Sequence, residues 1–103
     1  MKGICLTFYA YEFEKHGKKL VYEWLLETGK TMGLPGGHVN RGIAGFGKHK
    51  KMYEEHFFEL GANVPIEIQF ILNKEDSDKF LAAIQKENIH LFYTLSDIDY
   101  NTT

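Results

Sequence analysis

Alternation of apolar and polar residues is the strongest constraint on this chain, because it appears in separated stretches with helical repeats between them. In the first stretch, Ile4, Leu6, Phe8 and Ala10 alternate with Cys5, Thr7, Tyr9 and Tyr11. Period two is the signature of a strand. The second face of that strand is only half polar, and such a face is usually covered by something. A second alternating stretch covers 64–72, with Val64, Ile66, Ile68, Phe70 and Leu72 on one side and Glu67, Gln69 and Ile71 on the other. Two shorter stretches, 38–44 and 90–96, also read as strands, the last with Leu91, Tyr93 and Leu95 inward.

The helical repeats fall between these strands. Leu20, Val21, Trp24, Leu25, Thr28 and Met32 form one stripe at three-to-four spacing, which predicts a helix over 18–33. Gly33-Leu34-Pro35-Gly36-Gly37 stops it, and Gly29 weakens its last turns by about 1 kcal/mol. A second helix is predicted over 75–87, with Phe80, Leu81 and Ile84 inward and Asn73 or Asp76 as its cap. The order is strand, helix, two strands, helix, strand. This is the ferredoxin-like β-α-β-β-α-β pattern of an α+β fold, an antiparallel sheet with two helices on one face. The other face, carrying Cys5, Thr7, Tyr9, Tyr11, Ile71, Phe92 and Thr94, is then apolar enough to predict assembly through it. The tail 97–103 is polar and expected to be loose.

At 103 residues the chain reads as a single domain over 1–103. Its 44% apolar and 25% charged residues are those of a folded protein. A formal net charge of -2 gives no reason to expect nucleic acid as a partner. No apolar run approaches the ~18 residues of a membrane span, and no signal-peptide core follows Met1, so a cytoplasmic location is expected. The lone Cys5 fits a reducing compartment and a packed or interface thiol.

Chemistry concentrates in one segment, Arg41-Gly42-Ile43-Ala44-Gly45-Phe46-Gly47-Lys48-His49-Lys50-Lys51. It holds the sole arginine, and five of the ten glycines lie between positions 36 and 47. Glycines let backbone amides approach a ligand and form an anion-binding concavity. Lysine and arginine can then neutralise phosphate or carboxylate oxygens. The alternative is a bulged hairpin with a solvated basic tip, in which Arg41 pairs with a carboxylate such as Glu67. No Walker A loop or dinucleotide fingerprint is present.

The segment 48–63 is long for a hairpin connection. It is expected to be the most mobile internal segment, and Met52, Tyr53, His56, Phe57 and Leu60 have the spacing of a short amphipathic helix. Otherwise Phe57 and Phe58 contact a partner. His49 and His56 stand seven apart, but a metal site would need a further ligand, and no metal is assigned. No Ser–His–Asp or Cys–His order stands out. The chain reads as a binding protein without a cofactor, not as an enzyme.

Gly45-Phe46-Gly47-Lys48-His49-Lys50, a long loop and Val64-Pro65-Ile66-Glu67-Ile68 resemble the nitrogen-regulatory PII signalling proteins. Arg41-Gly42-Ile43-Ala44-Gly45-Phe46-Gly47, Phe57-Phe58-Glu59-Leu60 and Val64-Pro65-Ile66 resemble more closely a PII-like family, domain of unknown function 190. The resemblance implies a homotrimer with sheets facing inward, adenine nucleotides or similar small anions in clefts between subunits, and a loop that engages a transporter or an enzyme. It matches Gly47 and Lys48 to the loop-base phosphate contacts; with the segment's own glycines and charges, the candidate ligand-binding residues are Arg41, Gly45, Phe46, Gly47, Lys48 and His49. His49 stands where PII proteins carry glutamine. The glycine- and lysine-rich loop before the last strand and the C-terminal arginines of PII proteins are absent, which leaves a monophosphate, a cyclic nucleotide or another small anion open. Two further readings remain: an interaction module without a small ligand, and a metal-binding trimer of the CutA type.

Overall fold

The computed structural model describes residues 1–46, 52–54 and 63–103. Strand β1 (Lys2–Tyr11) is followed by a two-strand ribbon, β2 (Lys15–His16) and β3 (Lys19–Leu20), and then by helix α1 (Val21–Thr31). Strands β4 (Gly37–Arg41), β5 (Ala44–Phe46), β6 (Met52–Glu54) and β7 (Pro65–Leu72) come next. Helix α2 (Lys74–Lys86) and strand β8 (Phe92–Asp99) complete the chain. The main sheet has the order β4-β7-β1-β8 and is antiparallel throughout. This is the predicted ferredoxin-type α+β arrangement.

The core lies where the alternation puts it. Ile4, Leu6, Phe8 and Ala10 of β1 and Ile66, Ile68, Phe70 and Leu72 of β7 are buried against Val21 and Leu25 of α1 and Phe80 and Ile84 of α2. Phe8, Phe70 and Phe80 meet edge-on, with ring centroids 4.8–6.2 Å apart. Such edge-to-face contacts add to the burial of the rings. The expectation that Val64, Ile66, Ile68, Phe70 and Leu72 share a buried face holds for all five.

Helix α1 begins three residues later than the stripe suggests. Lys19 and Leu20 are held in the ribbon opposite His16 and Lys15, so the chain turns at Gly17 before the helix starts. The helix ends in a Schellman arrangement: Leu34 N–H donates to Gly29 O at 3.0 Å, and Gly33 takes a left-handed φ of 78°. Of the two caps considered for α2, Asn73 is the one used; its side chain accepts from Asp76 N–H at 2.7 Å.

Three expectations need correction. The strand over 38–44 is two strands. Its ladder with β7 ends where Gly42 N–H donates to Pro65 O at 2.8 Å; Pro65 has no N–H to continue the ladder, and Ala44–Phe46 leaves to pair with Met52–Glu54. Met52 and Tyr53 are therefore extended, not helical, and 47–51 and 55–62 lie outside the described residues. The tail is not loose from position 97, because β8 runs to Asp99. Beyond it the Met1 ammonium donates to Asp99 Oδ1 (3.1 Å), Tyr100 O (2.9 Å) and Asn101 Oδ1 (3.2 Å). Tyr93 and Leu95 do face the helix side, opposite Phe8 and Leu6. They are nonetheless 38% and 48% exposed, because β8 is an edge strand that the helices leave largely uncovered.

The other sheet face has the composition expected. The registers place Cys5, Thr7 and Tyr9 beside Ile71, Gln69 and Glu67 on one side and beside Ser96, Thr94 and Phe92 on the other. Phe92 is 71% exposed, and its ring lies 5.5 Å from that of Tyr9. Thr7 is buried on this open face, and Gln69 Nε2 donates to its hydroxyl at 3.2 Å. No helix among the described residues is long and apolar enough to cross a membrane.

Candidate functional site

Both ends of the 47–62 connection meet the body of the protein at one end of the sheet. There the last residues of β1, the first of β7 and the approach to β8 enclose a cleft of about 750 Å³. Its floor is backbone and small side chains: Ala10, Gly42, Ala44, Gly45 and Pro65. Tyr9, Tyr11, Leu91 and Phe92 form apolar walls, and Glu14, Glu67 and His90 supply the polar groups. The lack of side chains at Gly42 and Gly45 leaves the chain at the entry to the connection open to close approach by a ligand. The wall of Tyr9 and Phe92 presents two aromatic faces, a surface suited to a planar heterocycle.

Glu14 is engaged, accepting from Tyr11 N–H at 3.2 Å. The Glu67 carboxylate makes no hydrogen bond or ion pair among the described residues. No lysine or arginine lines the cleft among the described residues.

Arg41 is not in this cleft. Opposite Ile66 in the β4–β7 register, it points to the helix side of the sheet. There it lines a second, smaller hollow of about 400 Å³ with Glu12, Tyr22, Val39 and Asn40. Its Nε donates to both oxygens of Glu12 at 3.1 Å and its Nη2 to Oε2 at 2.5 Å. Glu12 is nearly enclosed, with its side chain 12% exposed, while that of Arg41 is 61% exposed. The hydrogen bond and then the charge of Glu12 raise the guanidinium pKa above its ordinary value. The carboxylate that holds Arg41 is thus Glu12 rather than Glu67.

Of the residues singled out by sequence, Gly45 lies in the cleft, Arg41 lies behind it, Phe46 is at the end of β5, and Gly47, Lys48 and His49 fall outside the described residues. Sequence reasoning missed Tyr9 and Phe92 as a pair lining the cleft, and it missed Glu12, Glu14 and His90. Only the β1–β8 and β1–β7 registers bring these together, and no local pattern encodes a register. Among the described residues no group of three His, Cys, Asp or Glu side chains is placed to hold a metal.

The sheet and the helix layer define an α+β protein of ferredoxin-type, PII-like fold. The backbone is similar to that of CPII, a nitrogen regulatory PII-like protein from Thiomonas intermedia K12, in its structure bound to ADP, AMP and bicarbonate. The TM-score is 0.69 at 17% identity, over 100% of this chain and 97% of that one. A structure of CPII bound to ADP and bicarbonate gives 0.68 at 21%, over 95% and 87%. Sequence narrows the class. Residues 3–100 match the DUF190 family (Uncharacterized ACR, COG1993). A UPF0166 protein from Aquifex aeolicus (strain VF5) is 34% identical over 99 residues, 96% of this chain and 93% of that protein. The chain belongs to the DUF190 family, as its hairpin motif suggested.

Proposed function

We propose that this chain is a regulatory protein that binds a small anionic effector, an adenine nucleotide in the first instance, in the cleft at the foot of the 47–62 connection. The observation that carries the reading is the cleft itself: aromatic walls at Tyr9 and Phe92, and a side-chain-free floor at Gly42 and Gly45, at the entry to a lysine-rich segment. In this reading a heterocycle lies against the aromatic wall. The backbone amides of Gly45, Phe46 and Gly47 and the charges of Lys48 and His49 take the anionic group. Arg41 anchors the end of β4 from the second hollow and adds its charge from there. CPII, similar in fold, has been seen with ADP, AMP and bicarbonate, which makes these three the natural ligands to try. The protein assembles as a homotrimer through its open sheet face, and a transporter or an enzyme reads the state of the connection.

A thermal-shift titration with ADP, AMP and bicarbonate, followed by calorimetry, tests the reading. A ligand confined to the native state adds about 2.7 kcal/mol of stability at a hundredfold excess over Kd. A ligand that binds is expected to lose about ten- to a hundredfold in affinity in Lys48→Ala, because a charge-assisted hydrogen bond contributes roughly 1.5–3 kcal/mol. If none of the three shifts the melting temperature, the effector reading fails. The chain would then be read as a structural or interaction module without a small ligand.

A further inference from the structure

The six residues from Tyr9 to Glu14 divide between two sets of contacts. Tyr9, Ala10, Tyr11 and Glu14 line the cleft. The two residues among them that do not, Glu12 and Phe13, hold the end of β4, where the chain leaves the main sheet, and Asn63–Val64, where it returns after the 47–62 connection. At the first point, the Glu12 carboxylate holds Arg41, the last residue of β4. At the second point, Glu12 N–H donates to Val64 O at 2.9 Å, and Phe13 N–H donates to Asn63 Oδ1 at 2.8 Å. The turn is closed on itself by Glu14 N–H donating to Tyr11 O at 3.1 Å. Phe13 is exposed, and no residue from Tyr11 to Glu14 belongs to the buried core. Segments outside the core shift at a lower free-energy cost than the elements that make it.

We propose that this turn links the cleft to these two points, with Glu12 as its positioning residue. The inference rests on the cleft being the ligand site. A ligand seated against Tyr11 and Glu14 changes the conformation of the turn, and Glu12 and Phe13 carry that change to Arg41 and to Asn63–Val64. By linkage the effect is reciprocal: a partner that holds the two points alters affinity in the cleft by the same factor. Glu12 touches no ligand in this scheme and acts through Arg41 and the turn.

The test is amide chemical shifts in the full chain, read with and without saturating ADP, AMP or bicarbonate. In the parent protein, ligand is expected to move the amides of Ala10 and Tyr11 and also those of Arg41, Phe13 and Asn63. In Glu12→Gln, which keeps the side chain's shape and removes the charge that holds Arg41, the response at Ala10 and Tyr11 and the affinity are retained, and the response at Arg41 is lost. Asn63→Ala, which cuts only the Phe13 tie, is expected to lose the response at position 63 and serves if Glu12→Gln does not fold. A parent that binds without any response at Arg41 and Asn63, or a Glu12→Gln protein that responds at Arg41 as the parent does, overturns the link and leaves the effector reading intact. If none of the three ligands binds the parent, the effector reading fails and the link fails with it.

Discussion

Phe70 shows how much one side chain can decide. Its ring is buried between Phe8 and Phe80, and two glycine backbones come close to it. A Cβ on Gly37 would sit 2.5 Å from Phe70 Cε1, and one on Gly29 would sit 3.0 Å from the same atom. The glycine that weakens α1 by propensity therefore lets the helix approach the sheet. Because the ring is packed on its other sides, it has no room to yield. Gly37→Ala is expected to destabilise the fold by about 1–3 kcal/mol, the usual cost of overpacking. Urea unfolding at one protein concentration would show it as a lower midpoint at unchanged slope. Phe80→Ala removes a fully buried ring and should cost roughly 3–5 kcal/mol in the same assay. The Glu12–Arg41 pair is of a different kind. With Arg41 largely exposed it adds little to stability, and its importance lies in where it stands.

At the scale of elements, the two helices start for different reasons. Helix α1 has no side-chain cap, and Leu20 precedes it in an extended conformation set by the ribbon. Val21 N–H instead donates to the Glu14 carbonyl at 2.8 Å, so its first turn depends on the same stretch that lines the cleft. Helix α2 is capped by its own neighbour, Asn73. Asn73→Ala should cost about 1 kcal/mol, seen as a lower melting temperature with no change in ligand affinity. A loss of affinity would mean that α2 contributes to the site. The division of 38–46 into β4 and β5 belongs at this scale too. One imino acid on the neighbouring strand, Pro65, ends the ladder, and the chain leaves the sheet toward the connection where it does so.

At the scale of the whole molecule, no element among the described residues covers one face of the sheet. Tyr9, Ile71 and Phe92 are exposed there around the enclosed Thr7, and the edge strand β8 shows Tyr93 and Leu95 on its other side. An interface over this surface would bury on the order of 1,600 Å² in total for each pair. Light scattering is expected to give three times the 11.9 kDa of one chain. Phe92→Glu should lower that mass by placing a charge in the interface. A parent protein that is monomeric at micromolar concentration would remove the proposal of a trimer; an assembly indifferent to Phe92→Glu would move the interface to another surface.

Local chemistry made much of this protein readable before its structure. Period two in 64–72 assigned every buried residue of β7, since alternate side chains of a strand must point to opposite faces. The stripe through Val21 and Leu25 and the cap at Asn73 followed from helix geometry, and the hairpin motif pointed to the family. What sequence could not supply was register. Whether Arg41 meets Glu12 or Glu67 depends on which way β4 faces against β7. The approach of Tyr9 to Phe92 depends on how β1 slides against β8. The end of β4 depends on a proline 24 positions away from Arg41 along the chain. Each is a contact between residues far apart in sequence. Only the packing of the finished sheet, where hydrogen-bond pairing and burial must be satisfied together, selects one such arrangement, and that packing forms the cleft.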